Sequence, residues 1–89
     1  MRAIITVMGS DKTGIIAAVT ANLALNGVNI LDISQTTMQG IFVMIMLVDM
    51  SGSTTDVAGL QKELSGVGTG IGMSISVQHE DIFNSMHRV

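Results

Sequence analysis

The residues that could carry chemistry in this 89-residue chain lie in one loop and at the start of one strand. The loop spans residues 9–14 and precedes a predicted helix, whose free N–H groups and positive dipole end suit an anion. Asp11 offers a carboxylate for an ammonium group, and Asn29 offers both a donor and an acceptor. A free α-amino acid carries both charges, so the residues suggest an amino-acid pocket. The alternative is that Asp11 only forms a turn and Asn29 only begins a strand.

A phosphate-binding loop is a second interpretation of the same segment. Gly9 and Gly14 have the spacing of the two glycines in that motif. Ile15 and Ile16 stand where the motif has Lys and Ser or Thr, so the charged group is missing. Only the general anion affinity of a helix N-terminus remains.

Catalytic and metal-binding patterns are weak. The two histidines, His79 and His87, both lie in the C-terminal tail, without a Ser, Cys or carboxylate at the spacing of a known catalytic motif. The chain has no Cys, which excludes disulfides and thiolate metal sites. His79, Asp81 and His87 could meet as metal ligands only through tertiary contacts. We therefore predict no enzyme activity, no metal and no cofactor.

The composition excludes several classes of protein. Hydrophobic residues make up 47% of the chain and charged residues 12%, which is unlike a disordered segment. The net charge of −3 argues against nucleic acid as a partner. The longest apolar run, Ile41 to Val48, is far shorter than the ~20 residues of a spanning helix, and the N-terminus lacks signal-peptide features. We predict a cytoplasmic protein with no membrane partner.

Hydrophobic periodicity predicts the order β-α-β-β-α-β, followed by a short helix. Right-handed crossovers then give an α+β fold, a ferredoxin-like βαββαβ sandwich with both helices on one face of an antiparallel sheet. One domain should span residues 1–89, with its core in 3–78 and the C-terminal helix in 79–88. Thr54 or Thr55 should cap the second helix, and the glycines from 66 to 72 should loosen its end. The expected elements are strands Ala3–Met8, Val28–Met38, Ile41–Val48 and Ile71–Val77, and a first helix Ile15–Asn26 closed by Gly27.

The predicted third strand, Ile41–Val48, is apolar on both faces, which is typical of a central strand. The preceding strand has a long polar face, which is typical of an edge. The sheet face without helices must therefore be covered by the tail helix, a second subunit or both. We expect a homodimer.

Two segments resemble a known family. The patterns G-x-D-K-x-G-I-I-A-x-V at 9–19 and L-A-x-x-G-x-N-I-x-D-I-S-Q at 23–35 resemble the ACT domain, a small amino-acid-sensing module. The resemblance extends from Ala3 to about Val77. The chain is similar to short stand-alone ACT proteins and to the ACT domain of the glycine cleavage system transcriptional repressor.

The resemblance implies a ligand at a dimer interface, between the first β–α loop of one subunit and the second strand of its neighbour. In serine-sensing members a His stands at the position of Gly9, and a Pro is common at that of Thr13, so this chain departs from the serine pattern. The implied ligand contacts are Asp11, Lys12, Thr13, Gly14, Ile15 and Asn29.

We therefore predict a non-enzymatic regulatory module that binds a small amino acid as a homodimer and signals to a protein partner. The alternative is a protein-interaction or oligomerisation module whose ligand pocket is vestigial. A small hydrolase on the same fold would need a loop Arg, which this loop lacks.

Overall fold

The computed structural model describes residues 1–10 and 14–86, with the side chain of Met86 excluded. It confirms the predicted ferredoxin-like order and the short C-terminal helix, of which residues 87 and 88 lie outside the described part. The four strands form one antiparallel sheet in the order β2-β3-β1-β4. The elements are β1 Arg2–Gly9, α1 Ile15–Leu25, β2 Asn29–Met38, β3 Ile41–Asp49, α2 Val57–Ile71, β4 Ser74–His79 and α3 Glu80–Met86.

The core lies between the sheet and the helices α1 and α2. Alternate residues of each inner strand are fully buried because side chains alternate between the two faces of a sheet. The buried residues of α1 recur at helical spacing and pack on the same face. The most deeply buried side chains are Ile5, Val7, Ile15, Val19, Leu23, Met44, Met46, Val48, Leu60 and Leu64.

The opposite face of the sheet remains open over β3. As predicted, β3 is an inner strand, and its outward residues Ile41 and Ile45 are 50% and 37% exposed. Met8 on β1 is 46% exposed. The helix α3 packs against β1 and β4, so it leaves the β2–β3 side of this face uncovered. The tail helix was one of the elements expected to cover this face, and its main contacts are on the side formed by β1 and β4.

Two boundaries predicted around α2 are wrong. The N-cap is Asp56, whose Oδ1 accepts a hydrogen bond from the Gly59 N–H at 2.7 Å, and neither Thr54 nor Thr55. The helix also continues through its glycines to Ile71. Gly68 explains this: a Cβ there would lie 2.6 Å from the Met73 carbonyl oxygen, so glycine lets α2 approach the chain entering β4. The last strand therefore starts at Ser74 rather than Ile71.

The hairpin between β2 and β3 confirms the predicted tight turn. Gln39 and Gly40 have φ angles of 51° and 80°, the left-handed conformation that a two-residue turn needs to match the strand twist. Near its other end β2 contains an irregularity, where the register shifts between Ile30 and Asp32. Almost all of β2 is exposed, as expected for an edge strand that pairs on one side only.

Candidate functional site

The loop half of the predicted site ends in a helix N-terminus without a side-chain cap. Gly14 is the N-cap residue, with a φ of 77° that favours glycine, and its carbonyl accepts the first helical bond from Ala18 at 3.0 Å. Ile15 is fully buried and anchors the first turn in the core. The first N–H groups of a helix have no partner within the helix, so this terminus can receive an anion. Three predicted contacts, Asp11, Lys12 and Thr13, lie outside the described residues.

The position of Asn29 is set by the tight connection from α1 to β2. Gly27 has a φ of 72°, and a Cβ there would lie 2.6 Å from the Gly52 carbonyl oxygen. Asn26 is 9% exposed, and its Nδ2 donates to Glu63 Oε1 at 3.1 Å, which ties this corner to α2. Asn29 itself is exposed as the first residue of β2.

A single chain does not bring the two halves of the site together. Asn29 pairs with Asp49, which pairs with Arg2 at the start of β1. The loop follows Gly9 at the other end of β1. Seven residues separate these two positions of β1, about 23 Å at the rise of a strand. A pocket that includes both Gly14 and Asn29 therefore needs two copies of the chain.

The structure adds a carboxylate beside Asn29 that the sequence argument missed. Asp49 is its cross-strand partner, so the two side chains share a face. The side-chain hydroxyl and the backbone N–H of Ser51 donate to Asp49 Oδ1 at 2.7 and 2.9 Å. These bonds lower the pKa of the Asp49 carboxyl, so it is ionised at neutral pH. The spacing Asp-x-Ser at residues 49–51 is typical of an Asx turn, and it was the feature of the sequence that could have drawn attention to Asp49.

Gly9, which stands where the resemblance described above implies a His in the serine pattern, lies against Met73. A Cβ at Gly9 would be 1.8 Å from Met73 Sδ and 3.0 Å from its Cε. Met73 is 9% exposed and its side chain is flexible, so Sδ and Cε must shift to admit a Cβ at Gly9. A side chain at position 9 is therefore excluded while Met73 keeps its place.

We expect Gly9→Ala to lower the free energy of unfolding by about 1–3 kcal/mol through overpacking. In a Met73→Ala background the same change should cost much less, because the side chain that it meets has been removed. Urea denaturation of the four proteins of this double-mutant cycle measures the coupling. An equal cost of Gly9→Ala in both backgrounds would contradict the contact.

Two shallow hollows occur elsewhere on the described surface. One, of about 110 Å³, lies between Ile4, Ile33 and Leu47, and the other, of about 350 Å³, lies between Met8, Met38 and Ile41. Neither is lined by Gly14, Ile15 or Asn29. The hollows thus belong to the open sheet face and not to the predicted site.

Metal ligands do not cluster in the part of the chain that the structure describes. Within residues 1–10 and 14–86, no three His, Asp or Glu side chains lie close enough together to hold an ion. None of the helices in these ranges combines the length and apolarity needed to cross a membrane.

The fold defines a ferredoxin-like α+β domain, and comparisons identify its family. A family model described as the ACT domain matches residues 2–78. A UPF0237 protein of Methanocaldococcus jannaschii is 52% identical over 88 residues, which cover 99% of this chain and 98% of that protein. The chain therefore belongs to the ACT domain family, whose members are regulatory and often amino-acid-binding modules, and the predicted resemblance is confirmed.

Solved structures agree with this assignment. An ACT domain protein from Streptococcus pneumoniae is 41% identical, with a TM-score of 0.82 and 93% of each chain covered. A putative glycine cleavage system transcriptional repressor has a TM-score of 0.75 at 19% identity, covering 86% of this chain and 45% of that one. The second similarity shows the same fold.

Proposed function

We propose that this protein is a non-enzymatic regulatory module that binds a small free amino acid between two copies of the chain. The observation that carries the proposal is the separation of Gly14 and Asn29 to opposite ends of one sheet, beside an exposed strand edge. In this proposal Gly14, Ile15 and the loop residues Asp11, Lys12 and Thr13 come from one copy. Asn29 comes from the other.

Antiparallel pairing of two β2 strands supplies the required geometry. Directly opposite residues of an antiparallel pair face the same side, so the two-fold axis must pass through one residue, and Ile33 lies near the middle of β2. Pairing about Ile33 sets Asn29 of the partner subunit near Thr37. Thr37 shares a row of the sheet with Phe42 and Gly9, where the loop begins. The partner's amide thus arrives at the loop end of the sheet.

The charges available suit a zwitterion. The N-terminus of α1 attracts the ligand carboxylate, and Asp11 accepts from its ammonium group. Asn29 of the partner subunit bonds either group, and the ionised Asp49 beside it adds negative charge. Gly9 leaves no side chain where serine-sensing relatives have His, so the ligand need not be serine.

Ligand binding would shift the equilibrium between separate chains and paired chains. A ligand held by both copies stabilises the pair over the separate chains by its differential affinity for the two states. A protein partner that recognises the paired form then reads the amino-acid concentration. We place the protein in the cytoplasm, where free amino acids are the substrates and products of metabolism.

A thermal-shift screen against the free amino acids tests the proposal. A ligand at 100 times its Kd should add about 2.7 kcal/mol of stability. For a domain of this size we expect the melting temperature to rise by roughly 10 °C or more. The matched variant Asn29→Ala should melt like the wild type without ligand and show a much smaller rise with it. If no amino acid shifts the melting temperature, the interaction module with a vestigial pocket is favoured.

A further inference from the structure

The outer edge of β4 is blocked by one side chain. Gln61 on α2 donates from Nε2 to the Ile75 carbonyl at 2.9 Å, and its Oε1 accepts from the Val77 N–H at 2.7 Å. Nε2 also donates to Ser65 Oγ at 2.7 Å. The amide therefore occupies a backbone acceptor and a backbone donor that a fifth strand would use to join the sheet.

Apart from the packing of α2 on β4, residues 74–78 carry none of the usual features that protect an edge strand. Edge strands are commonly protected by charged side chains, by Pro or by bulges. Residues 74–78 carry only Ser, Ile, Val and Gln side chains, and their pairing with β1 runs without a register shift. On the other edge strand, β2, the Asp32 carboxylate accepts from the Ile33 N–H at 2.9 Å, a local bond that the pairing of two β2 strands would replace.

We infer that Gln61 keeps β4 closed to a second copy of this chain and so restricts edge pairing to β2. Without the amide, two β4 strands can pair antiparallel about Ser76. In that register the Ile75 carbonyl of each copy accepts from the Val77 N–H of the other, which satisfies the two groups that Gln61 now holds. A chain with both edges open assembles without limit, because each copy adds a new free edge.

The test compares two substitutions of nearly equal size. Gln61→Met keeps the shape and the helix propensity but cannot bond to β4, and we expect it to sediment as species larger than the wild type at 100 µM, increasing with concentration. Gln61→Glu loses the donor and places a charge at the edge, so it should sediment like the wild type. Gln61→Ala serves in place of the Met variant if that protein does not fold, as judged by circular dichroism.

A disulfide readout maps the new contact, since the chain has no other Cys. Ser76→Cys combined with Gln61→Met should form intermolecular disulfides on mild oxidation, and Ser76→Cys alone should not. Ser74→Cys is the control, because this register sets Ser74 opposite Gln78 of the other copy. The inference is overturned if the Met and Glu variants both form larger species, or if neither does. It is also overturned if Cys at position 74 crosslinks as readily as Cys at position 76. This readout does not depend on β2 pairing or on ligand, so its failure leaves the proposed function standing.

Discussion

Gln35→Pro is expected to leave the chain folded but monomeric and to abolish amino-acid binding. The reason is the direction of the backbone groups along β2. The bonds from Gln61 show that the backbone groups of Ile75 and Val77 point away from β1. The backbone N–H and carbonyl groups of successive residues point to opposite sides of a strand. The pairing of β4 with β1, of β1 with β3 and of β3 with residues 32–38 of β2 therefore identifies which residues of β2 point to its free edge. They are Ile33, Gln35 and Thr37.

Proline at position 35 therefore removes an outward N–H and places its ring at the free edge, while the bonds from β2 to β3 remain. Sedimentation at 100 µM and calorimetry with the ligand found by the screen measure the result. Gln35→Ala is the matched control and should remain dimeric and bind normally. A Gln35→Pro protein that stays dimeric would show that the two copies meet elsewhere.

Mixing two inactive variants is expected to restore binding. Asp11→Ala and Asn29→Ala should each weaken binding about 10- to 150-fold, the loss of one charge-assisted hydrogen bond of about 1.5–3 kcal/mol. In a mixed dimer the intact loop of the Asn29→Ala chain meets the intact Asn29 of the Asp11→Ala chain. One of the two sites is then complete, so an equimolar mixture should regain about a quarter of the wild-type sites at random pairing.

Calorimetry on the mixture counts these sites after the subunits have exchanged. The double variant, with both substitutions in one chain, is the control: mixed with wild-type protein it leaves no intact site in the mixed dimer. Asp11→Asn separates charge from turn chemistry, since Asn makes the same turn but does not attract an ammonium group. A mixture that binds no better than its components would place Asp11 and Asn29 in one subunit's site or outside it.

Local patterns were sufficient for most of the fold. The unbroken apolar run Ile41–Val48 predicted an inner strand, because a strand that is apolar on both faces is typical of the middle of a sheet. The helical spacing of Val19 and Leu23 predicted the buried face of α1. These predictions hold because the period of apolar residues along a segment indicates whether it is a helix or a strand and which of its faces is apolar.

The errors arose where a distant part of the chain determines the local structure. The glycines of α2 predicted a loosened end, yet Gly68 is helical because it allows close contact with Met73 and Ile75. The sequence shows a weak helix former at this position but not the backbone that packs against it. Helix propensity is outweighed by tertiary packing there.

The sequence by itself determined the element order, the edge character of β2 and the residue types of a possible amino-acid site. Only the tertiary structure decided that Gly14 and Asn29 lie at opposite ends of one sheet, that Asp49 stands beside Asn29, and that Gln61 covers the edge of β4. The physical reason is that residue type and spacing specify the local conformation and chemistry of a segment. Distances between segments follow from strand order and register, which are set by the packing of the whole chain.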